Sequence, residues 1–154
     1  MKKLIPPIPI RNRQSEFQIM PPLLTQFLSH TLPKSDWTHE AHLSVGLWHL
    51  REFGFDEALT RMRMGICAYN EAVGTANTTS SGYHETLTQF WLRVLDAQQR
   101  EAGAETAFAD VLSRVLAGSW ADRALALRYY HRETLFSSRA RATWVGPDLQ
   151  PFDF

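Results

Sequence analysis

Apolar residues recur along this chain at helical spacing and almost nowhere at alternate positions. Leu23, Leu24, Phe27 and Leu28 form a stripe behind Pro21-Pro22, predicting a short helix through about Thr31 that Pro33 ends. Thr38 is a good N-cap for a second helix running to about Glu52, closed by Gly54. Leu59, Met62, Ile66 and Tyr69, at offsets of three, seven and ten, mark a third helix, capped by Asp56 and running to about Asn70. After a small, polar loop from Val73 to Gly82, a fourth helix starts at Ser80 or Ser81. Its stripe is His84, Leu87, Thr88, Trp91, Val94 and Leu95. A fifth spans roughly Ala104 to Ala117, and Asp122 caps a sixth that runs to about Phe136. The pattern predicts an all-α fold, a compact bundle of about five or six helices. Residues 1–20 read as a proline-rich arm, and 21–154 as a single helical domain with an extended tail from Ser137.

The second helix breaks its own pattern. Ala41, Leu43, Val45, Leu47, Trp48, Leu50 and Phe53 make it apolar on nearly every side, which predicts burial. Yet His39, His42, Gly46 and His49 fall on one stripe. A buried polar group without a partner costs about 1–3 kcal/mol, so three imidazoles on one core face need partners or a purpose. His49 lies about 15 Å along the axis from His39, at a rise of 1.5 Å per residue, and reads as a core histidine. His39 and His42 are one turn apart.

Composition narrows the classes. The sixteen basic and sixteen acidic side chains cancel, which argues against a nucleic-acid-binding surface. No apolar run approaches the roughly 20 residues that span a bilayer. Pro6, Pro7 and Pro9 interrupt any signal-peptide apolar region, so the expected location is the cytoplasm. Cys67, the single cysteine, rules out an internal disulfide or a multi-cysteine zinc site and reads as a buried thiol.

Short connections make successive helices antiparallel, so the second and fourth run parallel. Their first turns then share one end of the bundle, bringing His39 and His42 near Tyr83, His84 and Glu85. The end of the third helix, with Tyr69 and Asn70, returns there, as does the loop carrying Asn77. Two chemistries follow. His39, His42 and His84 could form a three-histidine face for zinc, iron or nickel, with Glu40 or Glu85 as a supporting carboxylate. His39-Glu40-Ala41-His42 is one residue short of the His-Glu-x-x-His metalloprotease spacing, and ferritin-like Glu-x-x-His pairs are missing.

Without a metal, two helix N-termini favour a small anionic molecule. A neutral His39 or His84 would then transfer a proton, oriented by Glu85; His84 and Glu85 are the catalytic candidates, while His39, His42, Tyr69, Asn77 and Tyr83 bind the substrate. The competing reading is a non-catalytic interaction module whose histidines are internal polar links and whose arm docks a partner. Arg61, Arg63 and Arg139-Ala140-Arg141 read as a solvated face, and Trp48, Phe90 and Trp91 as core. An exposed apolar helix face would allow a homodimer.

Three blocks carry a resemblance. They are Trp37-Thr38-His39-Glu40-Ala41-His42-Leu43, Gly82-Tyr83-His84-Glu85-Thr86, and Leu135-Phe136-Ser137 through Trp144-Val145-Gly146-Pro147-Asp148-Leu149. In them the chain resembles an uncharacterised family of small bacterial all-helical proteins. The resemblance implies that the histidine blocks and the Pro-Asp-Leu tail form one unit, and implies no activity.

Overall fold

A computed structural model describes residues 22–154, so the proline-rich arm predicted for residues 1–20 lies outside the described residues. The fold is all-α, with no strand among the described residues. Its helices are α1 (Pro22–Leu28), α2 (His39–Phe53), α3 (Phe55–Ala72), α4 (Glu85–Ala102), α5 (Phe108–Ala117), α6 (Arg132–Leu135) and α7 (Ser138–Ala142). Short 3-10 turns at Lys34–Asp36, Ser119–Ala121 and Leu125–Arg128 link them.

The central helix α2 packs against α3, α4 and α5. Thr38 caps it as predicted, its hydroxyl oxygen accepting from the Ala41 N–H at 3.2 Å. Gly54, at φ 76°, ends α2 and begins α3 in one residue. Its N–H donates to Leu50 O, and its carbonyl accepts from Ala58 N–H. The left-handed φ suits a residue without Cβ. This turn starts α3 at Phe55, ahead of the predicted Asp56 cap. Where α2 crosses α4, a Cβ on Gly46 would lie 3.1 Å from Leu95 Cδ1 and 3.4 Å from Leu92 Cδ2, so glycine permits the close approach.

The fourth helix starts at Glu85, later than the predicted Ser80 or Ser81. Ser80 and Ser81 are held instead in a turn, their N–H groups donating to Thr78 Oγ1. The fifth starts at Phe108 because Thr106 Oγ1 turns back to donate to Ala102 O at 2.6 Å. The predicted sixth helix is absent as a continuous element. Asp122 accepts from Ala124 N–H, a 3-10 turn follows, and only Arg132–Leu135 is α-helical.

The cause is the tail. Leu149 N–H donates to Tyr129 O, and Asp148 Oδ1 accepts from His131 N–H, so the chain at 129–131 bonds to the tail instead of continuing a helix. The break also buries the consecutive Tyr129 and Tyr130. The tail is not extended throughout, for it contains α7, capped by Ser137.

Two apolar clusters result. The larger joins α1 to α5 through Leu43, Leu47, Tyr69, Leu92 and Val111. The smaller places Phe90 and Val94 of α4 against Tyr129, Tyr130 and Leu135, with Phe152 and Phe154 packed on it. Thus α4 is shared, and its first turn lies where the tail and the bundle meet.

Candidate functional site

The first turns of α2 and α4 and the last turns of α3 converge on a cavity of about 430 Å3. His39, His42, Tyr69, Tyr83 and His84 all line it. Gly46, Met62, Ile66, Leu92 and Leu95 supply apolar surface, and Trp37 and Trp91 add indole rings. The exposed Lys34 and Arg123 place two cations at its edge, and no aspartate or glutamate is among its lining residues.

His42 is the best-defined polar group there. Its Nδ1–H donates to Thr38 O at 2.7 Å, which fixes the tautomer and leaves Nε2 as an acceptor. The ring packs 3.8 Å from Trp37, centroid to centroid. Burial outweighs the Thr38 carbonyl and pushes the imidazole down to about 4, so His42 is neutral at pH 7. His39 is also lowered, by burial and then by the charge of Arg123. Its ring meets Trp91 edge-on at 4.6 Å, and its buried Nε2 has no hydrogen-bond partner.

His84 differs from its predicted role. It is the N-cap of α4, Nδ1 accepting from Leu87 N–H at 3.2 Å while Nε2–H donates to Leu135 O at 2.9 Å. Both nitrogens are engaged and the residue is buried, so in this arrangement it can neither ligate a metal nor exchange a proton with a ligand. Burial lowers its proton affinity, as its doubly bonded neutral tautomer requires. The predicted three-histidine metal face of His39, His42 and His84 therefore does not form. Among the described residues, no group of three histidine, cysteine, aspartate or glutamate side chains is arranged to hold a metal. The residues do not fit zinc, iron or nickel.

Glu85 does not orient His84 either. Its Oε2 accepts from Arg63 Nε and Tyr83 Oη, and its Oε1 accepts from Arg63 Nη2 and Gln89 Nε2, at 2.7–2.9 Å. Burial alone would raise this carboxyl, but the donors from Arg63, Gln89 and Tyr83, with the Arg63 charge, hold it down to about 2. It is a fixed anion that anchors α3 to α4, not a proton carrier. Arg63 is thus half of a bidentate pair, where the sequence suggested a solvated face. The missed signal was spacing, since Arg63 shares a face of α3 with Ile66 and Asn70 at offsets of three and seven.

Asn77 is absent from the cavity lining. Its Oδ1 accepts from Asn70 Nδ2 and Tyr83 N–H, and its Nδ2 donates to Cys67 O. The predicted substrate contact is a clasp that closes the 73–82 loop against α3. Gly82, at φ 76°, completes it, because a Cβ there would lie 2.5 Å from Ala76 O. Arg141 donates to Gly82 O and Tyr83 O, tying the tail to the same loop. The Tyr69 and Tyr83 hydroxyls are committed to Leu32 O and Glu85, so both present rings, not donors, to the cavity. His49, outside the cavity, is a core histidine whose Nδ1–H donates to Val45 O.

No family model, curated protein or solved structure matches the chain.

Proposed function

We propose that this protein binds a small organic molecule in the cavity between α2, α3 and α4. The observation that carries the reading is the cavity itself. A space of about 430 Å3 lies within the range of small-molecule sites, and its lining is mainly apolar with a few convergent polar groups. Nδ1 of His42 is fixed on Thr38 O, so Nε2 offers the occupant a lone pair as a hydrogen-bond acceptor. The stripe His39–His42–Gly46 faces this cavity, and the missing side chain of Gly46 lets Leu92 and Leu95 of α4 form its wall.

The reading of the histidines as internal polar links draws specific support at two positions. His84 and His49 each donate to a backbone carbonyl. We assign them structural roles and leave ligand contact to His42 and its neighbours. The described residues contain no helix long and apolar enough to cross a membrane.

The test is NMR titration of labelled protein with a set of small aromatic and aliphatic fragments. Binding should shift the indole N–H resonances of Trp37 and Trp91 together, and Thr88→Phe, which plugs the cavity, should suppress those shifts. Fragments that never move both indoles, or that move them equally in the plugged variant, would reject the site.

A further inference from the structure

We infer that the occupant is a hydrophobic organic monoanion that also carries an N–H or O–H donor, the donor bonding His42 Nε2 and the anion facing Lys34 and Arg123. This inference rests on the cavity being a ligand site and adds the chemical class of the ligand.

Three features of the lining restrict the class. First, the only formal charges in it are Lys34 and Arg123, and neither makes a salt bridge among the described residues. The nearby carboxylate of Glu85 is paired with Arg63, bonded by Tyr83 and Gln89 and not in the lining, so its charge at the cavity is offset by Arg63. Glu40 and Asp122 lie within electrostatic reach of His39 but outside the lining, so the two lining cations beside apolar walls favour a single negative group, not several, on an otherwise apolar body.

Second, the polar atom offered by His42 is an acceptor. Its Nδ1–H must donate to Thr38 O, because a carbonyl cannot donate. A ligand group that only accepts would oppose the Nε2 lone pair, whereas an N–H or O–H would satisfy it. Burial keeps the ring neutral, so the acceptor persists at physiological pH.

Third, apart from His39 Nε2, which has no partner, several other polar groups of the lining are already used. Tyr69 Oη donates to Leu32 O, Tyr83 Oη to Glu85, Thr88 Oγ1 to His84 O, and His84 is engaged at both nitrogens. The remaining wall is Met62, Ile66, Leu92 and Leu95 with the indoles of Trp37 and Trp91. A sugar or a polyphosphate would leave most of its polar groups without partners there, while an aromatic or branched apolar acid would not.

Three probes of one shape separate the elements of the inference by calorimetric titration at pH 7.5. These are 6-hydroxy-2-naphthoate, its methyl ether 6-methoxy-2-naphthoate, and its neutral primary amide. The wild-type protein should bind the hydroxy acid about tenfold more tightly than either the ether or the amide, as expected for one hydrogen bond or one screened charge contact. His42→Phe keeps a ring against Trp37 and should erase the preference for hydroxyl over methoxy while keeping that for acid over amide. The double variant Lys34→Gln/Arg123→Gln should do the reverse. Each comparison is a ratio within one variant, so a partly unfolded variant cannot mimic it.

Equal affinity for all three probes, or loss of the acid preference in His42→Phe alone, would overturn the inference and leave the cavity reading standing. Tighter binding of the amide would overturn it too. Failure of all three probes to bind at low millimolar concentration would overturn both.

Discussion

Replacing Glu85 by glutamine tests the electrostatic frame of the site. Each carboxylate oxygen accepts from Arg63 and from one further donor, Tyr83 on one side and Gln89 on the other. A glutamine amide must turn its NH2 toward one of those pairs, setting donor against donor. The carboxyl sits at about 2 in the folded protein against an ordinary value of 4.5. At about 1.4 kcal/mol for each tenfold change in proton affinity, the full difference is about 3 kcal/mol. Arg63 is 44% exposed, and solvent screening reduces the expected loss for Glu85→Gln to about 2 kcal/mol at pH 7.

The pH dependence has a definite sign. Above 4.5 the group is ionised in both states and its stabilisation is complete. As pH falls from 4.5 toward 2, the unfolded chain takes up a proton that the folded chain refuses, and stability is lost. Urea unfolding of both proteins across this range is the assay. The gap between them should be widest at pH 7 and close toward pH 2, while other carboxylates titrate alike in both and cancel. A gap that stays constant with pH, or a glutamine variant as stable as wild type at pH 7, would show that the Glu85 charge does not stabilise the fold.

Other predictions follow from single contacts. His84→Asn keeps a capping side chain but loses the bond to Leu135 O, and should cost about 1 kcal/mol by urea unfolding; His84→Ala loses both and should cost about twice that. Asn77→Ala removes the three bonds that clasp the 73–82 loop, and hydrogen exchange should rise there and at Tyr83 while the core of α2 stays protected. Gly82→Ala should destabilise by about 2 kcal/mol or more, because the φ and the contact with Ala76 O are both unfavourable; a melting temperature equal to wild type would contradict it. His42 binds a proton at about 4 when folded and at 6.5 when unfolded, so it erodes stability as pH falls between those values. His42→Phe should therefore lose less stability than wild type between pH 7 and pH 5, measured by thermal unfolding.

The bundle was legible where apolar stripes alone decide the structure. Met62, Ile66 and Tyr69, placed on one face by spacing, are all buried in the main cluster. Legibility failed where distant backbone competes for the same hydrogen bonds. The stretch from Asp122 to Phe136 has helical composition, but its Tyr129 carbonyl and His131 N–H are claimed by Leu149 and Asp148. Helix propensity is a local quantity, and no window on that stretch contains the tail that interrupts it. The start of α4 failed for a related reason. Serines are common caps, and the sequence gives little sign that His84, an uncommon one, is fixed in that position by a carbonyl fifty-one residues away.

The same distinction separates what was readable about the site from what was not. Position along a helix brought His39, His42, Tyr69, Tyr83 and His84 to one cavity, because rise and direction per residue are fixed by geometry. Role depends on which lone pairs and N–H groups remain after internal bonding, and that is set by partners elsewhere in the chain. His42 and His84 look alike as letters in a first turn. One bonds through a single nitrogen to its own helix cap and keeps the other; the other spends both, and only the first can meet a ligand. Glu85 follows the same logic with charge. Read alone, it adds an anion to the cavity and favours a metal or a base. Paired with Arg63, it lies outside the lining, whose formal charges are Lys34 and Arg123.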